Sequence, residues 1–258
     1  MKYKICTYNL RMDTPEDGKN AFSQRKAFIA ERFPLYGADV VGFQEVLPHM
    51  RRWLEETLTD YQVVGTGRGA TLEDEHNVIA YRRDRFLLVA LDTFWLSDTP
   101  YVPGSRFACD QSPCPRICTC AVLATRDTRQ LLRVYNTHLD HEGAGARTQG
   151  MACILRRIAA DDSRYPGAPV VLMGDFNAEP EEAACRMAGE FAACGRRLED
   201  VTREIPATYH DYHRSQPIKI DYIFTSADWD KSATRALTDC HEGVYLSDHY
   251  PVLGEIFL

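Results

Sequence analysis

The sequence predicts an α/β protein of the α+β type, in which mixed β-sheets are covered by helices on the outside. Ten short segments rich in β-branched and aromatic residues predict strands, and four longer segments space their apolar residues as helices do. The two kinds of segment are interleaved, and no linker or internal repeat of solenoid period separates them. We therefore expect a single domain spanning residues 1–258.

The predicted strands are short and are bounded by turn-forming residues. In chain order they are residues 3–8, 39–43, 61–65, 77–82, 86–94, 116–124, 131–137, 169–173, 218–224 and 250–257. Two pairs are close enough in the sequence to predict antiparallel hairpins, namely 77–82 with 86–94 and 116–124 with 131–137. Helices are expected to return the chain between other strands.

The helical pattern is most regular from Gly145 to Ala160. Five apolar side chains share one face there, namely Met151, Ile154, Leu155, Ile158 and Ala159. Residues 23–36, 50–59 and 180–190 are further helix candidates. Residues 98–115 and 202–217 have no periodicity, and long loops in compact domains tend to carry function.

The charge balance restricts how the protein can bind a polyanion. The chain has 37 acidic and 30 basic residues, which gives a formal net charge of −7. This argues against a protein that holds nucleic acid or an anionic membrane through bulk positive charge. It leaves open a polyanionic substrate recruited through bound divalent cations. No apolar run is long enough for a transmembrane helix, so we expect no stable membrane insertion, and we expect a monomer.

The nine cysteines are an odd number scattered over a long chain, which favours reduced thiols over a disulfide framework. This predicts a cytoplasmic protein, or an exported one if a signal peptide has been removed. Cys109, Cys114, Cys118 and Cys120 do not repeat a C-x-x-C unit. We expect apolar packing or free thiols at these positions in preference to a zinc site.

Polar side chains, most of them titratable, recur where apolar strands end. They are Asn9, Glu45, His138, Asp175, Asn177, Asp248 and His249, with Asp221 inside the predicted strand 218–224. Any one of them is a typical cap or turn former. The recurrence at six places predicts that these strand ends meet at one site.

Four carboxylates belong to this set: Glu45, Asp175, Asp221 and Asp248. At close quarters they repel one another and need cations or histidinium partners to stay ionised. All-oxygen ligands with carboxamides select hard ions, so we predict Mg²⁺ or Mn²⁺ and not zinc. The two histidines of the set would face charge that develops on phosphorus. The pattern therefore predicts a metal-assisted phosphoester hydrolase.

The same residues carry a family resemblance. The ordered segments are Thr7-Tyr8-Asn9-Leu10, Gln44-Glu45, Asn136-Thr137-His138-Leu139, Gly174-Asp175-Phe176-Asn177, Ile220-Asp221-Tyr222-Ile223 and Ser247-Asp248-His249-Tyr250-Pro251. Together they resemble the signature of the endonuclease/exonuclease/phosphatase superfamily, which includes deoxyribonuclease I, exonuclease III, neutral sphingomyelinases and deadenylases. The resemblance implies a deoxyribonuclease I-like fold, a four-layer α/β/β/α sandwich of two mixed sheets with the active site at one end.

The resemblance also implies roles around a metal ion and the attacking water. Glu45 would be the principal Mg²⁺ ligand, with Asn9 and Asp248 around the metal or ordering it. Asp175 would orient or deprotonate the water, and Asn177 would fix water and phosphate.

Further roles are implied at the phosphate. His249 would contact the scissile phosphate, held and kept cationic by Asp221. His138 would be the other phosphate-facing histidine. Arg116 matches a position where some members place an arginine on the phosphate. In the loop before Asp221, His210 is the better candidate for a substrate or phosphate contact, although a solvated polar loop is an alternative.

The substrate stays open at this point. Another branch of this superfamily, the inositol polyphosphate 5-phosphatases, carries a Trp-Cys-Asp-Arg stretch where this chain has residues 217–222, so that substrate class is disfavoured. The overall resemblance is to bacterial members whose substrates we do not infer, which leaves nucleic acid, nucleotide, sugar phosphate and lipid headgroup. The alternative function is a non-catalytic phosphate- or metal-binding module on the same fold. Loss of Asp175 or His249 would have favoured that alternative, and both are present.

Overall fold

Two β-sheets packed face to face form the centre of the computed structural model, which describes residues 1–258. The four α-helices are α1 (Phe22–Arg32), α2 (Pro48–Thr57), α3 (Ala144–Arg164) and α4 (Ala183–Glu190), and two 3-10 helices span Pro15–Asn20 and Phe33–Tyr36. The first ten strands are β1 (Lys2–Asn9), β2 (Val40–Val46), β3 (Tyr61–Val64), β4 (His76–Arg82), β5 (Phe86–Trp95), β6 (Ile117–Thr125), β7 (Leu131–His138), β8 (Val170–Asp175), β9 (Ala192–Ala193) and β10 (Arg196–Arg197). The others are β11 (Glu199–Asp200), β12 (Asp221–Thr225), β13 (Asp228–Trp229), β14 (Arg235–Ala236), β15 (Cys240–His241), β16 (Val244–Tyr245) and β17 (Val252–Phe257).

Both large sheets are mixed. The first has the order β13-β17-β1-β2-β4-β3, with β14 also paired to β17, and the second has the order β11-β12-β8-β7-β6-β5. Strands β1 and β2 run parallel, as do β7 and β8, while the other neighbours in these sheets are antiparallel. Each sheet therefore contains one parallel pair whose carboxyl ends lie at the same edge.

The alternation of side chains along each strand divides the core into three apolar clusters. Tyr3 and Ile5 of β1 belong to the cluster between the sheets, whereas Cys6 and Tyr8 belong to the cluster beneath α1 and α2. A third cluster lies between the second sheet and the helices α3 and α4. It contains four residues of the predicted apolar face of α3, namely Met151, Ile154, Leu155 and Ile158, whereas the fifth, Ala159, is exposed. The architecture is the four-layer α/β/β/α sandwich that the sequence resemblance implied. None of the helices combines the length and apolar character needed to span a bilayer.

The predicted elements are confirmed for all ten longer strands and all four helices, with boundaries shifted by a few residues. The hairpin between residues 116–124 and 131–137 is confirmed as β6 and β7. The hairpin between 77–82 and 86–94 is wrong, because β4 and β5 belong to different sheets. Both edges of β4 are already hydrogen-bonded, one to β2 and one to β3, so β5 has no free edge there and pairs with β6.

The four cysteines between residues 109 and 120 differ in their surroundings. Cys118 and Cys120 are buried in the cluster beneath α3, as apolar packing predicts. Cys114 is half-buried and Cys109 is exposed in the loop before β6. All nine cysteines are free thiols.

Candidate active site

The strand directions bring most of the predicted residues to one end of the sandwich. In the first sheet, Asn9 ends β1 and Glu45 lies near the end of its parallel neighbour β2. In the second sheet, His138 ends β7 and Asp175 ends β8, and these two residues are paired in register. Because β12 is antiparallel to β8, its first residue, Asp221, pairs with Asp175 at the same edge.

Residues that immediately precede antiparallel strands reach the same end from the other direction. Asp248 and His249 come shortly before β17, which is antiparallel to β1. Arg116 directly precedes β6, and Glu75 directly precedes β4. The resulting cleft has a volume of about 390 Å³ and is lined by residues from both sheets.

Two local distortions aim the carboxylates into this cleft. The ladder between β2 and β4 has a bulge between Phe43 and Val46, and Glu45 within it has a φ of 58°. A bulge of this kind redirects a side chain that regular alternation would place on the other face. Gly174 has a φ of 146°, and a Cβ there would lie 1.9 Å from the carbonyl oxygen of Thr137, so only glycine allows the close approach that precedes Asp175.

Asn9 links the carboxylates of the two sheets. Its Nδ2 donates to Glu45 Oε1 at 2.9 Å and to Asp175 Oδ2 at 2.9 Å, and it is fully buried. Its Oδ1 accepts the backbone N–H of Arg11 at 2.9 Å. Asn9 is therefore positioned to order the carboxylates of both sheets. The backbone N–H of Met12 donates to the second oxygen of Glu45 at 3.0 Å.

His249 and Asp221 form a buried ion pair beside Asp175. The Nδ1 atom of His249 lies 2.8 Å from Asp221 Oδ2, and Nε2 lies 3.8 Å from Asp175 Oδ2. Burial lowers the pKa of His249, but the carboxylates of Asp221 and Asp248 outweigh it and raise the pKa to about 10. The imidazole is therefore cationic at neutral pH and directs Nε2 toward the cleft.

His138 has the opposite electrostatic character. Its Nε2 lies 3.5 Å from Asp175 Oδ2, and its buried Nδ1 has no hydrogen-bond partner. Burial, together with the positive charges of Arg116 and Arg68, holds the pKa of His138 well below its ordinary value. The two histidines predicted to face a phosphate therefore differ, because His249 is charged and His138 is neutral.

The acidic residues of the cleft experience different surroundings. Burial raises the pKa of Asp175 to about 7, and the Asp221 carboxylate adds to this effect. Burial also raises the pKa of Asp248, whose Oδ2 lies 3.6 Å from Arg11 Nε. Burial acts in the same direction on Glu45, but the hydrogen bonds from Met12 and Asn9 outweigh it and lower its pKa. Glu45 is thus the carboxylate most firmly held in its charged form.

Asn177 and Arg116 both line the cleft. Asn177 has a φ of 48°, its backbone N–H donates to Asp175 Oδ1 at 2.8 Å, and its side chain donates to the Leu139 carbonyl. Arg116 is 4% exposed, and its Nε and Nη1 atoms have no hydrogen-bond partner. Its Nη2 lies 2.7 Å from His141 Nδ1. Its Nε lies 3.6 Å from Asp140 Oδ2, so Nη1 is the buried donor that has no acceptor in the protein. A buried guanidinium donor without an acceptor suits an anion.

The structure places His210 away from the cleft, contrary to the substrate contact expected for it. Its ring stacks on Tyr250 with centroids 4.2 Å apart and also contacts Tyr245, and burial lowers its pKa to about 4. The neighbouring Tyr209 lines the cleft instead, with its ring centroid 4.7 Å from that of His249. Alternation along an extended segment sends these consecutive side chains to opposite sides.

Two further cleft residues escaped the sequence analysis. Glu75 is 8% exposed and accepts a hydrogen bond from Arg68 Nη2 at 2.7 Å. Arg68 is equally buried and also lines the cleft. The position of Glu75 directly before β4 was the available signal, because Asn9, His138 and Asp175 also stand at strand ends on this edge.

The donor set of the cleft fits a hard divalent cation. Ligand atoms of Glu45, His138 and Asp175 lie within 4.8 Å of one another, and a second such group comprises Asp175, Asp221 and His249. In the second group His249 Nδ1 and Asp221 Oδ2 already pair with each other. Burial raises the pKa of Asp175 and the Asp221 carboxylate adds to it, and a divalent cation bound among oxygen ligands would favour the charged form of Asp175.

The sequence and fold agree with those of known proteins. A sequence model of the Endonuclease/Exonuclease/phosphatase family matches residues 6–249, which is nearly the whole chain and includes every predicted site residue. Members of this family are generally metal-dependent hydrolases of phosphoesters. No curated protein matches the sequence.

Solved structures show the same fold over the full length. An endonuclease/exonuclease/phosphatase from Bacteroides vulgatus superimposes with a TM-score of 0.90 at 28% identity, covering 100% of this chain and 99% of the other. A mannosyl-6-phosphatase from Bacteroides thetaiotaomicron VPI-5482 gives 0.86 at 28% identity, covering 99% and 100%. The D. rerio TDP2 complexed with a single-strand DNA product gives 0.72 at 18% identity, covering 100% and 99%, which shows a shared fold.

Proposed function

We propose that this chain, which belongs to the endonuclease/exonuclease/phosphatase family, is a Mg²⁺-dependent enzyme that hydrolyses a phosphoester bond by in-line attack of water. The observation that carries the proposal is the cationic His249, held by Asp221, next to Asp175 in one cleft. A phosphoryl group needs a positive donor, and an attacking water needs a carboxylate that can take its proton. The cleft offers both within a few ångströms.

The proposed roles follow from the contacts of each residue. Asp175 accepts the proton of the water, and its raised pKa makes it a better base than an exposed aspartate. Asn177, whose backbone N–H donates to Asp175, fixes the water and a phosphoryl oxygen. His249 donates Nε2–H to the phosphoryl group, and Asp221 fixes the orientation of its ring.

The metal-binding roles are proposed for the carboxylates on the first-sheet side of the cleft. Glu45 and Asp248 would hold Mg²⁺, with Asn9 ordering Glu45 through its 2.9 Å hydrogen bond. When bound, the ion supplies positive charge that stabilises the oxygens of the phosphoryl group. Arg116, whose buried Nη1 has no acceptor in the protein, contributes further positive charge on the phosphate. Mn²⁺ has the same preference for oxygen ligands and is expected to substitute.

We further propose a small phosphomonoester as the substrate. A relative at 28% identity over the full chain is named a mannosyl-6-phosphatase. The cleft volume of about 390 Å³ is in the range of small-molecule sites, and the net charge of −7 disfavours a long polyanion. The likeness to the DNA-bound TDP2, at 18% identity, concerns the fold and lends little support to a nuclease.

The test is a substrate panel with matched variants. Phosphomonoesters, nucleotides, single- and double-stranded nucleic acids and phospholipid headgroups are incubated with Mg²⁺, with Mn²⁺ and with chelator. We expect hydrolysis of phosphomonoesters with either metal and none in chelator. His249→Gln is expected to lower kcat by about 10²- to 10⁴-fold, whereas Asp84→Asn, in an exposed turn at the other end of β4, is expected to keep wild-type activity.

Three outcomes would contradict the proposal. Retained activity in chelator would refute the metal dependence. Near wild-type turnover by His249→Gln would refute the assigned role of the ion pair. Absence of hydrolysis for every panel member with every metal would favour the non-catalytic binding module.

A further inference from the structure

We propose that Arg68 and Glu75 form a leaving-group subsite that recognises hydroxyl groups, so that the substrate is the phosphomonoester of a sugar or another polyol. This inference rests on the proposed function and specifies its substrate class. The two residues line the reaction cleft and take no part in the proposed water activation or phosphate binding.

The pair is buried and geometrically defined. Arg68 Nη2 donates to Glu75 Oε1 at 2.7 Å, and both residues are 8% exposed. Arg68 Nε also contacts Asp74 Oδ2 at 3.3 Å. An ion pair in such a setting is costly to desolvate, and apolar residues of similar size would often stabilise a fold as well. A structural role alone therefore gives little reason for charged side chains here.

The turn that carries the pair closes through its backbone. Within it, the N–H of Gly67 donates to the Leu72 carbonyl, and the N–H of Gly69 donates to the Glu73 carbonyl. The N–H of Arg68 donates to the carbonyl of Glu75 at 3.0 Å, and the indole of Trp95 donates to the carbonyl of Arg68 at 2.6 Å. Since these bonds use main-chain atoms, the two charged side chains are not needed to close the turn.

Each member of the pair keeps one hydrogen-bonding atom free. Glu75 Oε2 accepts no hydrogen bond from the protein, and Arg68 Nη1 donates none. Both atoms remain accessible to solvent. The pair thus offers one acceptor and one donor side by side. A hydroxyl group both donates and accepts, and neighbouring hydroxyls of a polyol satisfy this pattern.

The strand order places the pair on the side of the cleft opposite the proposed base. Between the sheets, β1 packs on β8, β2 on β7, and β4 on β6. Asp175 at the end of β8 therefore lies on one side, His138 at the end of β7 lies in the middle, and Glu75 before β4 lies on the far side. In-line attack places the leaving group opposite the water. A water at Asp175 thus directs the leaving group toward Arg68 and Glu75.

The experiment compares two phosphomonoesters that differ in hydroxyl groups. With Mg²⁺, kcat and KM are measured for mannose 6-phosphate and for phenyl phosphate, using wild type, Glu75→Gln and Arg68→Met. Glu73→Gln is the matched control, because Glu73 is an exposed acid of the same turn. Glutamine is isosteric and can still accept from Arg68, and thermal unfolding verifies that each variant is folded.

We expect Glu75→Gln and Arg68→Met to lower kcat/KM for mannose 6-phosphate by about tenfold or more, mainly through KM. Phenyl phosphate and the Glu73→Gln control should change little. Equal losses on both substrates, or no loss on either, would overturn the subsite. A wild type that cleaves phenyl phosphate or a diester but not mannose 6-phosphate would also overturn it and leave phosphoester hydrolysis intact. A wild type inactive on every phosphoester would instead refute the proposed function, and the subsite with it.

Discussion

Replacing Asp175 with asparagine is expected to abolish hydrolysis and yet stabilise the cation-free protein at alkaline pH. Burial and the Asp221 carboxylate raise the pKa of Asp175 from 3.8 to about 7. A carboxyl group whose pKa rises on folding binds its proton more tightly in the native state, so its ionisation disfavours folding. The native protein therefore loses stability as the pH rises from about 4 to about 7. Asparagine does not ionise and avoids this loss.

The structure gives the size of the effect. At 1.36 kcal/mol per pH unit, the difference between the two pKa values corresponds to roughly 4 kcal/mol at pH 8. About half of this destabilisation is already present at pH 5.5. The gain in unfolding free energy of Asp175→Asn over wild type should therefore grow by about 2 kcal/mol between pH 5.5 and pH 8. The hydrogen bond that Asn9 donates to Asp175 Oδ2 is lost, which offsets about 1 kcal/mol at every pH. The change with pH is therefore the quantity to measure.

The assay is thermal and urea unfolding of chelator-treated protein at pH 5.5 and pH 8. A gain of about 2 kcal/mol corresponds to roughly 4–8 °C in Tm for a chain of this size. Asp84→Asn is the control, because the Arg82 hydrogen bond lowers the pKa of Asp84 and asparagine there brings no alkaline gain. A stability difference for Asp175→Asn that stays constant or shrinks with rising pH would refute the reasoning. Turnover within tenfold of wild type would refute its role as base.

Three further predictions concern other parts of the site and core. Asp221→Asn should lower kcat by about 10²- to 10⁴-fold. Because Asp221 helps raise the pKa of His249 to about 10, His249 should also lose its proton at lower pH in this variant. An NMR titration or the pH–rate profile measures this change. An unchanged titration would contradict the ion pair. Gly42→Ala should lower the free energy of unfolding, measured in urea, by about 1–3 kcal/mol, since its Cβ would lie 2.7 Å from Asn136 Oδ1 between the sheets. Wild-type stability of this variant would disprove the close packing. His210→Phe should leave kcat/KM near the wild-type value, and a large loss would show that His210 contacts the substrate.

The sequence determined which segments become strands and helices, because hydrophobic periodicity and turn residues are local properties. The regular apolar face of residues 145–160 became the centre of α3, and the ten longer strands formed close to their predicted bounds. It also singled out Glu45 and Asp175 as candidate site residues, because a carboxylate at the end of an apolar strand has no place in the core. Strand direction then brought these residues to one edge.

Tertiary structure decided the partners of those elements and the electrostatics of the site. The separation of β4 from β5 depended on whether an edge of β4 was free, and distant strands had already occupied both edges. The opposite charge states of His138 and His249 arose from burial and from charged groups brought near by the fold. Burial of Glu75 likewise required a cleft built from both sheets. These properties depend on contacts between residues far apart in the chain, so no local pattern in the sequence records them.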